Sequence, residues 1–123
     1  MSCLPYPAPK QRYMQKELTH HSFQKEVIGN RNVAVVQFKT EWSGACQIIA
    51  PILHELAKLY KGQAFFYTVD VEKEQQLEHE YGIMELPTIL FFKNGVLVDH
   101  IVGLNPRNIL IQKIETVLES IQN

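Results

Sequence analysis

An α/β fold, with one mixed central sheet flanked by helices on both faces, is predicted by three features of the sequence. The run Val33-Ala34-Val35-Val36-Gln37-Phe38 is nearly all apolar and rich in β-branched residues, which suits a strand covered on both faces. Ile49, Ile52, Leu53, Leu56, Ala57 and Tyr60 then recur at spacings of three and four, the stripe of an amphipathic helix. Lys93-Asn94-Gly95-Val96 is a two-residue hairpin signal, because Asn-Gly tolerates positive φ at both central positions. Strand–helix alternation closing on a hairpin and a last helix gives the order β-α-β-α-β-α-β-β-α.

Taken in order, residues 1–12 hold Pro5, Pro7 and Pro9 with two basic residues and read as an extended arm. Residues 13–123 form a single domain, starting with a short edge strand over Tyr13 to Leu18. Thr19 or Ser22 offers a capping oxygen to a first helix carrying Phe23, Val27 and Ile28, which Gly29-Asn30 ends. The central strand Val33 to Phe38 is followed by a helix over Gln47 to Lys61, whose pattern runs on past Pro51, so the proline kinks the helix without ending it. Ala64 to Asp70 is the next strand, and Lys73 to Tyr81 is a polar helix stopped by Gly82. Thr88 to Phe92 and Val96 to Val102 are the hairpin strands, with Gly103 marking the end. Asn105 is placed as an N-cap with Pro106 at the first helical position, before a helix lined by Leu110, Ile114, Val117, Leu118 and Ile121.

Composition narrows the function. The chain has 123 residues, 46% hydrophobic and 20% charged, with a formal net charge of -1, so nothing draws it to nucleic acid or anionic membrane. No apolar run approaches the roughly 20 residues of a membrane span. No phosphate loop, paired catalytic carboxylates or basic–aromatic pattern appears, and no cofactor is expected. His20 and His21 point about 100° apart on a helix with no completing cluster, so no metal site is expected there. Two cysteines, Cys3 and Cys46, are too few for a disulfide framework, and with no apolar leader in the first residues a cytoplasmic setting is expected.

The chemistry concentrates at Trp42-Ser43-Gly44-Ala45-Cys46, a strand-to-helix junction. A helix N-terminus favours a thiolate, and the usual dithiol at such a place is C-x-x-C. Here Ser43 stands in the first of those positions. Serine reads as an N-cap or as a hydrogen-bond partner for Cys46; as an acyl-transfer nucleophile it would need a base, and His54 lies about two turns down the helix. Cys46 reads either as a buried small residue, as a reactive single thiol, or as a sulfenate-type sensor. A pairing of Cys46 with Cys3 on the arm is a further option.

The segment Phe38 to Cys46 resembles the active-site segment of the thioredoxin family, in which a strand leads into Trp-Cys-Gly-Pro-Cys. Ile49-Ala50-Pro51-Ile52-Leu53, Tyr81-Gly82-Ile83, Leu86-Pro87-Thr88, Phe92-Lys93-Asn94-Gly95 and Val102-Gly103 resemble further thioredoxin motifs in the same order, over about residues 13–121. The resemblance implies the thioredoxin fold and a role in thiol/disulfide redox homeostasis. It places Ser43 where the nucleophilic cysteine would be and leaves Cys46 in the resolving position. Ala45 replaces the motif proline, Gln37 stands where a buried aspartate serves proton transfer, and Phe66 stands near the place of that aspartate's lysine. It also implies a cis Leu86–Pro87 bond and a substrate groove built from Trp42, Gly44, Ala45, Leu86, Pro87 and Gly103. Met84 and Leu86 would make that groove apolar and Glu85 would charge its edge. The partner is then a protein or peptide, with or without a thiol or disulfide. Two readings follow: a redox-associated protein with one motif thiol and little or no dithiol turnover, and a non-catalytic module that binds partners in the same groove.

Overall fold

The structure, a computed structural model, describes residues 15–120. The arm over 1–12 and Cys3, with its option of pairing to Cys46, lie outside the described residues. The elements are β1 (Lys16–Glu17), α1 (His20–Phe23, continued by a π-helical turn, Gln24–Ile28), β2 (Val33–Lys39), α2 (Gly44–Leu59), β3 (Ala64–Asp70), α3 (Gln75–Glu80), β4 (Thr88–Lys93), β5 (Val96–Val102) and α4 (Arg107–Glu119). Among the described residues the strands form one sheet in the order β1-β3-β2-β4-β5. β3 runs parallel to β1 and β2, while the β2–β4 and β4–β5 pairs are antiparallel.

β2 is central and buried along nearly its whole length because it alternates between two cores. Val33 and Val35 enter one cluster with Ile49, Leu53 and Leu56 of α2 and Leu110, Ile114 and Val117 of α4. Ala34, Val36 and Phe38 enter the other with Phe23, Val27 and Leu77 from the first and third helical segments. A strand serving two cores has no polar face to offer, which is why its sequence reads as a continuous apolar run. Helices therefore cover both faces of the mixed sheet.

Register positions the site. Phe38 on β2 lies opposite Thr88 on β4, and Thr88 lies opposite Val102 on β5. The loops that follow β2, precede β4 and follow β5 consequently leave the sheet at one end. At the other end, Asn94 (φ 55°) and Gly95 (φ 81°) make the hairpin turn, and a Cβ on Gly95 would collide with the carbonyl oxygen of Ile28. Only glycine lets the hairpin tip press against the end of the first helical segment.

Several boundaries differ from the sequence reading. α2 begins at Gly44, three residues before Gln47, because Ser43 caps it and draws Cys46 into the first turn. Its helical span includes Pro51 and ends at Leu59, before Lys61. Asn105 is not the cap of α4: its side-chain amide donates to the carbonyls of Val102 and Gly103, and Pro106 supplies the first accepting carbonyl. Gly29 ends the first helical segment at φ −85°, outside the left-handed region, after a π turn that periodicity alone does not announce. Thr19 caps that segment with Ser22 as its reciprocal partner, so both named residues serve. α3 is shorter than Lys73 to Tyr81, spanning Gln75–Glu80. The short edge strand extends over Lys16–Glu17 within the described residues.

Candidate functional site

The junction after β2 sets Ser43 in an extended conformation, φ −89° and ψ 120°, at the N-cap of α2. Its Oγ accepts the backbone N–H of Cys46 at 3.2 Å. The hydroxyl therefore satisfies one of the donors that a helix start leaves open. One turn on, Cys46 is 3% exposed, a free thiol on the same stripe as buried Ile49 and Leu53. That stripe faces the sheet, so the sulfur points inward while the loop before it points out. Trp42 is 80% exposed. Gly44 has open space where a Cβ would be, and Ala45 is half-buried. Gln47 Nε2 donates to the Glu41 carbonyl at 2.9 Å and straps the loop to the first turn of α2, a role that its place as the expected first helical residue did not advertise.

The second wall comes from the loop before β4. The Leu86–Pro87 bond is cis, and Pro87 is buried. Thr88 Oγ1 donates to the Glu85 carbonyl, and Gly103 N–H donates to the Pro87 carbonyl at 2.8 Å. Neither the N–H nor the C=O of Leu86 has a partner among the described residues. Gly103 turns at φ 82°, where a side chain would be strained. Asn105 braces this turn by donating to both Val102 and Gly103 carbonyls, each at 3.2 Å. Its competence as a helix cap masked this bracing role in the sequence. Met84 is 94% exposed and Leu104 is 48% exposed, so the loops before β4 and after β5 carry exposed apolar side chains at the same end of the sheet as the Trp42 loop.

Beneath the junction, Gln37 is 1% exposed, opposite Thr68 on β3 and Ile89 on β4, and its Nε2 finds no partner. Gln37 shares the β2 face of Val35, the face that meets α2. Phe66 lies opposite Val35 and packs in the same apolar cluster. Neither position supplies a titratable group. His54 sits about 12 Å along α2 from Cys46, taking 1.5 Å per residue over two turns. Among the described residues no group of three or more His, Cys, Asp or Glu could hold a metal, and no helix is long and apolar enough to cross a membrane. His20 instead donates its backbone N–H to Glu74 Oε1 at 2.9 Å.

With this geometry in place, comparison with known proteins is specific. A family model described as Thioredoxin matches residues 14–116, more than half of the chain. Thioredoxin 2 of Chlorobaculum tepidum is 35% identical over 99 residues, covering 80% of this chain and 91% of that protein. The thioredoxin of Rickettsia felis is 36% identical over 98 residues, covering 80% of this chain and 93% of its own. A chloroplastic M-type thioredoxin of Pisum sativum is 39% identical over 94 residues, covering 76% of this chain and 55% of the pea protein.

Proposed function

This chain belongs to the thioredoxin family of redox proteins, and from that premise we propose that it binds protein or peptide partners in the family's groove without dithiol turnover. The observation that carries the proposal is Ser43 at the N-cap, its hydroxyl engaged with the Cys46 N–H. Disulfide exchange needs a thiolate to attack and a second thiol to release the mixed disulfide. A hydroxyl forms no disulfide and stays protonated at neutral pH. Cys46 is then the sole motif thiol, in the resolving position. Trp42, Gly44, Ala45, Leu86, Pro87 and Gly103 supply the groove, and the open backbone of Leu86 suits pairing with an extended segment.

A disulfide-reduction assay tests this. Wild type is expected to show no turnover, and Ser43→Cys to gain it in part, since Gln37 and Phe66 still offer no proton relay. Wild-type turnover that survives Cys3→Ser would refute the reading.

The near-complete burial of Cys46 favours the binding-module form of this function over the single-thiol form. Native thiol trapping separates them. In the binding module Cys46 resists a bulky thiol reagent until the chain unfolds, and Cys46→Ser leaves partner capture unchanged. Fast native labelling with loss of capture in Cys46→Ser would establish the single-thiol form instead.

A further inference from the structure

We propose that Glu85 makes the groove selective for an extended peptide segment that carries a lysine or arginine. This rests on the groove reading above and names the chemistry of its occupant. Glu85 lies two residues before Pro87, in a loop whose backbone is pinned by Thr88 Oγ1 on the Glu85 carbonyl. Its side chain folds across the next turn: Oε2 sits 3.2 Å from where a Cβ on Gly103 would be. Gly103 thus does two things, adopting a positive φ and leaving room for a carboxylate at the groove wall. A larger residue there would push Glu85 away.

That carboxylate has no hydrogen-bond or ion-pair partner among the described residues. Basic groups on neighbouring elements are committed elsewhere. Lys39 and Lys73 both face Glu17, at 3.9 and 3.2 Å, and Arg107 faces Glu55 at 3.4 Å. Glu41, exposed beside Trp42, adds a second negative charge at the same end of the sheet. Lys73 lies within electrostatic reach of Glu41, so the carboxylate left without a cation is that of Glu85, and the rim combines it with exposed apolar surface on Trp42, Met84 and Leu104. A lysine or arginine fits both parts, since its aliphatic stem covers apolar surface while its head meets the carboxylate. The face of Trp42 offers a further favourable contact to a cation.

Trp42 is the single tryptophan of the chain, so its fluorescence reports on the groove directly. The probes are three cysteine-free synthetic peptides of equal length and apolar content that differ at one position: Lys, Gln or Glu. Each is titrated against wild type and Glu85→Gln at low and high salt. In wild type the Lys peptide is expected to bind about fivefold tighter than the Gln peptide, the Glu peptide weakest, with the spread shrinking in high salt. In Glu85→Gln the Lys preference over the Gln peptide disappears. Equal binding of all three peptides by wild type would overturn the selectivity and leave the groove reading standing. A Lys preference that survives Glu85→Gln would remove Glu85 from the role. No response of Trp42 to any peptide would refute the groove reading itself, and the proposal with it.

Discussion

Replacing Gln37 by leucine should stabilise the protein, although the position lies at the centre of the sheet. Gln37 is 1% exposed, and its Nε2 has no hydrogen-bond partner. A buried donor left unsatisfied carries a desolvation cost of about 1–3 kcal/mol. Leucine is close in length, removes both polar atoms and meets apolar Ile89 across the strand pair. Some of the gain is lost to shape, since the branched end must repack. The net expectation is a stabilisation of about 1–2 kcal/mol. Urea denaturation with a two-state fit measures it, as a higher midpoint at an unchanged slope. Gln37→Asp is the companion variant. A carboxylate there is desolvated, so its folded pKa rises above the ordinary value near 4 and the charged form is disfavoured. Stability should then fall as pH rises through and above that ordinary value, by up to about 1.4 kcal/mol for each pKa unit of elevation. A Gln37→Leu variant destabilised by more than about 1 kcal/mol would refute the reasoning, because the amide would then be a satisfied hydrogen-bonding group.

Two further outcomes follow from other parts of the fold. Burial pushes the Tyr60 phenol up to about 12, helped by its hydrogen bond to Glu115, and burial does the same for Tyr67, helped by the charge of Glu26. Because both folded pKa values lie above the unfolded value of about 10, the stability they contribute is complete below that pH and is lost as pH rises toward about 12. Thermal melts paired with phenolate absorbance should show ionisation and unfolding together in that window, and free titration of both phenols near pH 10 in the folded state would contradict the assignment. Gly95→Ala should destabilise the hairpin by roughly 2–3 kcal/mol, from positive φ and from the collision with the Ile28 carbonyl. A melting temperature within a degree or so of wild type would show that the tip can retreat from the first helical segment.

The layered fold was legible because β2, α2 and the Asn94-Gly95 turn each carry a strong local signal that agrees with the others. Helix starts were less so. Ser43 is legible as an N-cap, although the apolar pattern starts the helix only at Gln47, whereas the displaced cap at Asn105 depends on which donor or acceptor wins a local competition, and spacing does not encode that. Asn105 is as good a cap as any in isolation; the carbonyls freed by the Gly103 turn claim its amide first. Ser43, Cys46, Trp42 and Pro87 could be singled out as residues, yet three remote stretches of chain meet at the site. Only the β2–β4–β5 register brings them to one end of the sheet. The lie of Glu85 across Gly103 depends on two loops that share no local pattern, so Glu85 could be put at the groove edge from the resemblance while its contact with Gly103 could not be read.

β4 begins beside that site at Thr88 and ends, five residues on, at Lys93. There the lysine ammonium donates to the carbonyls of Val117 and Leu118, at 2.9 and 3.2 Å, and to that of Ser120. One side chain thus terminates α4 from outside the helix, placing positive charge at the negative end of its dipole. The same strand that starts just after the cis Leu86–Pro87 bond at one end is the tether of the last helix at the other. Acetylation of this amine would remove its charge and weaken its contacts to three carbonyls at once. The helix C-terminus is in this sense addressable by a single covalent event, at the opposite end of the sheet from Cys46.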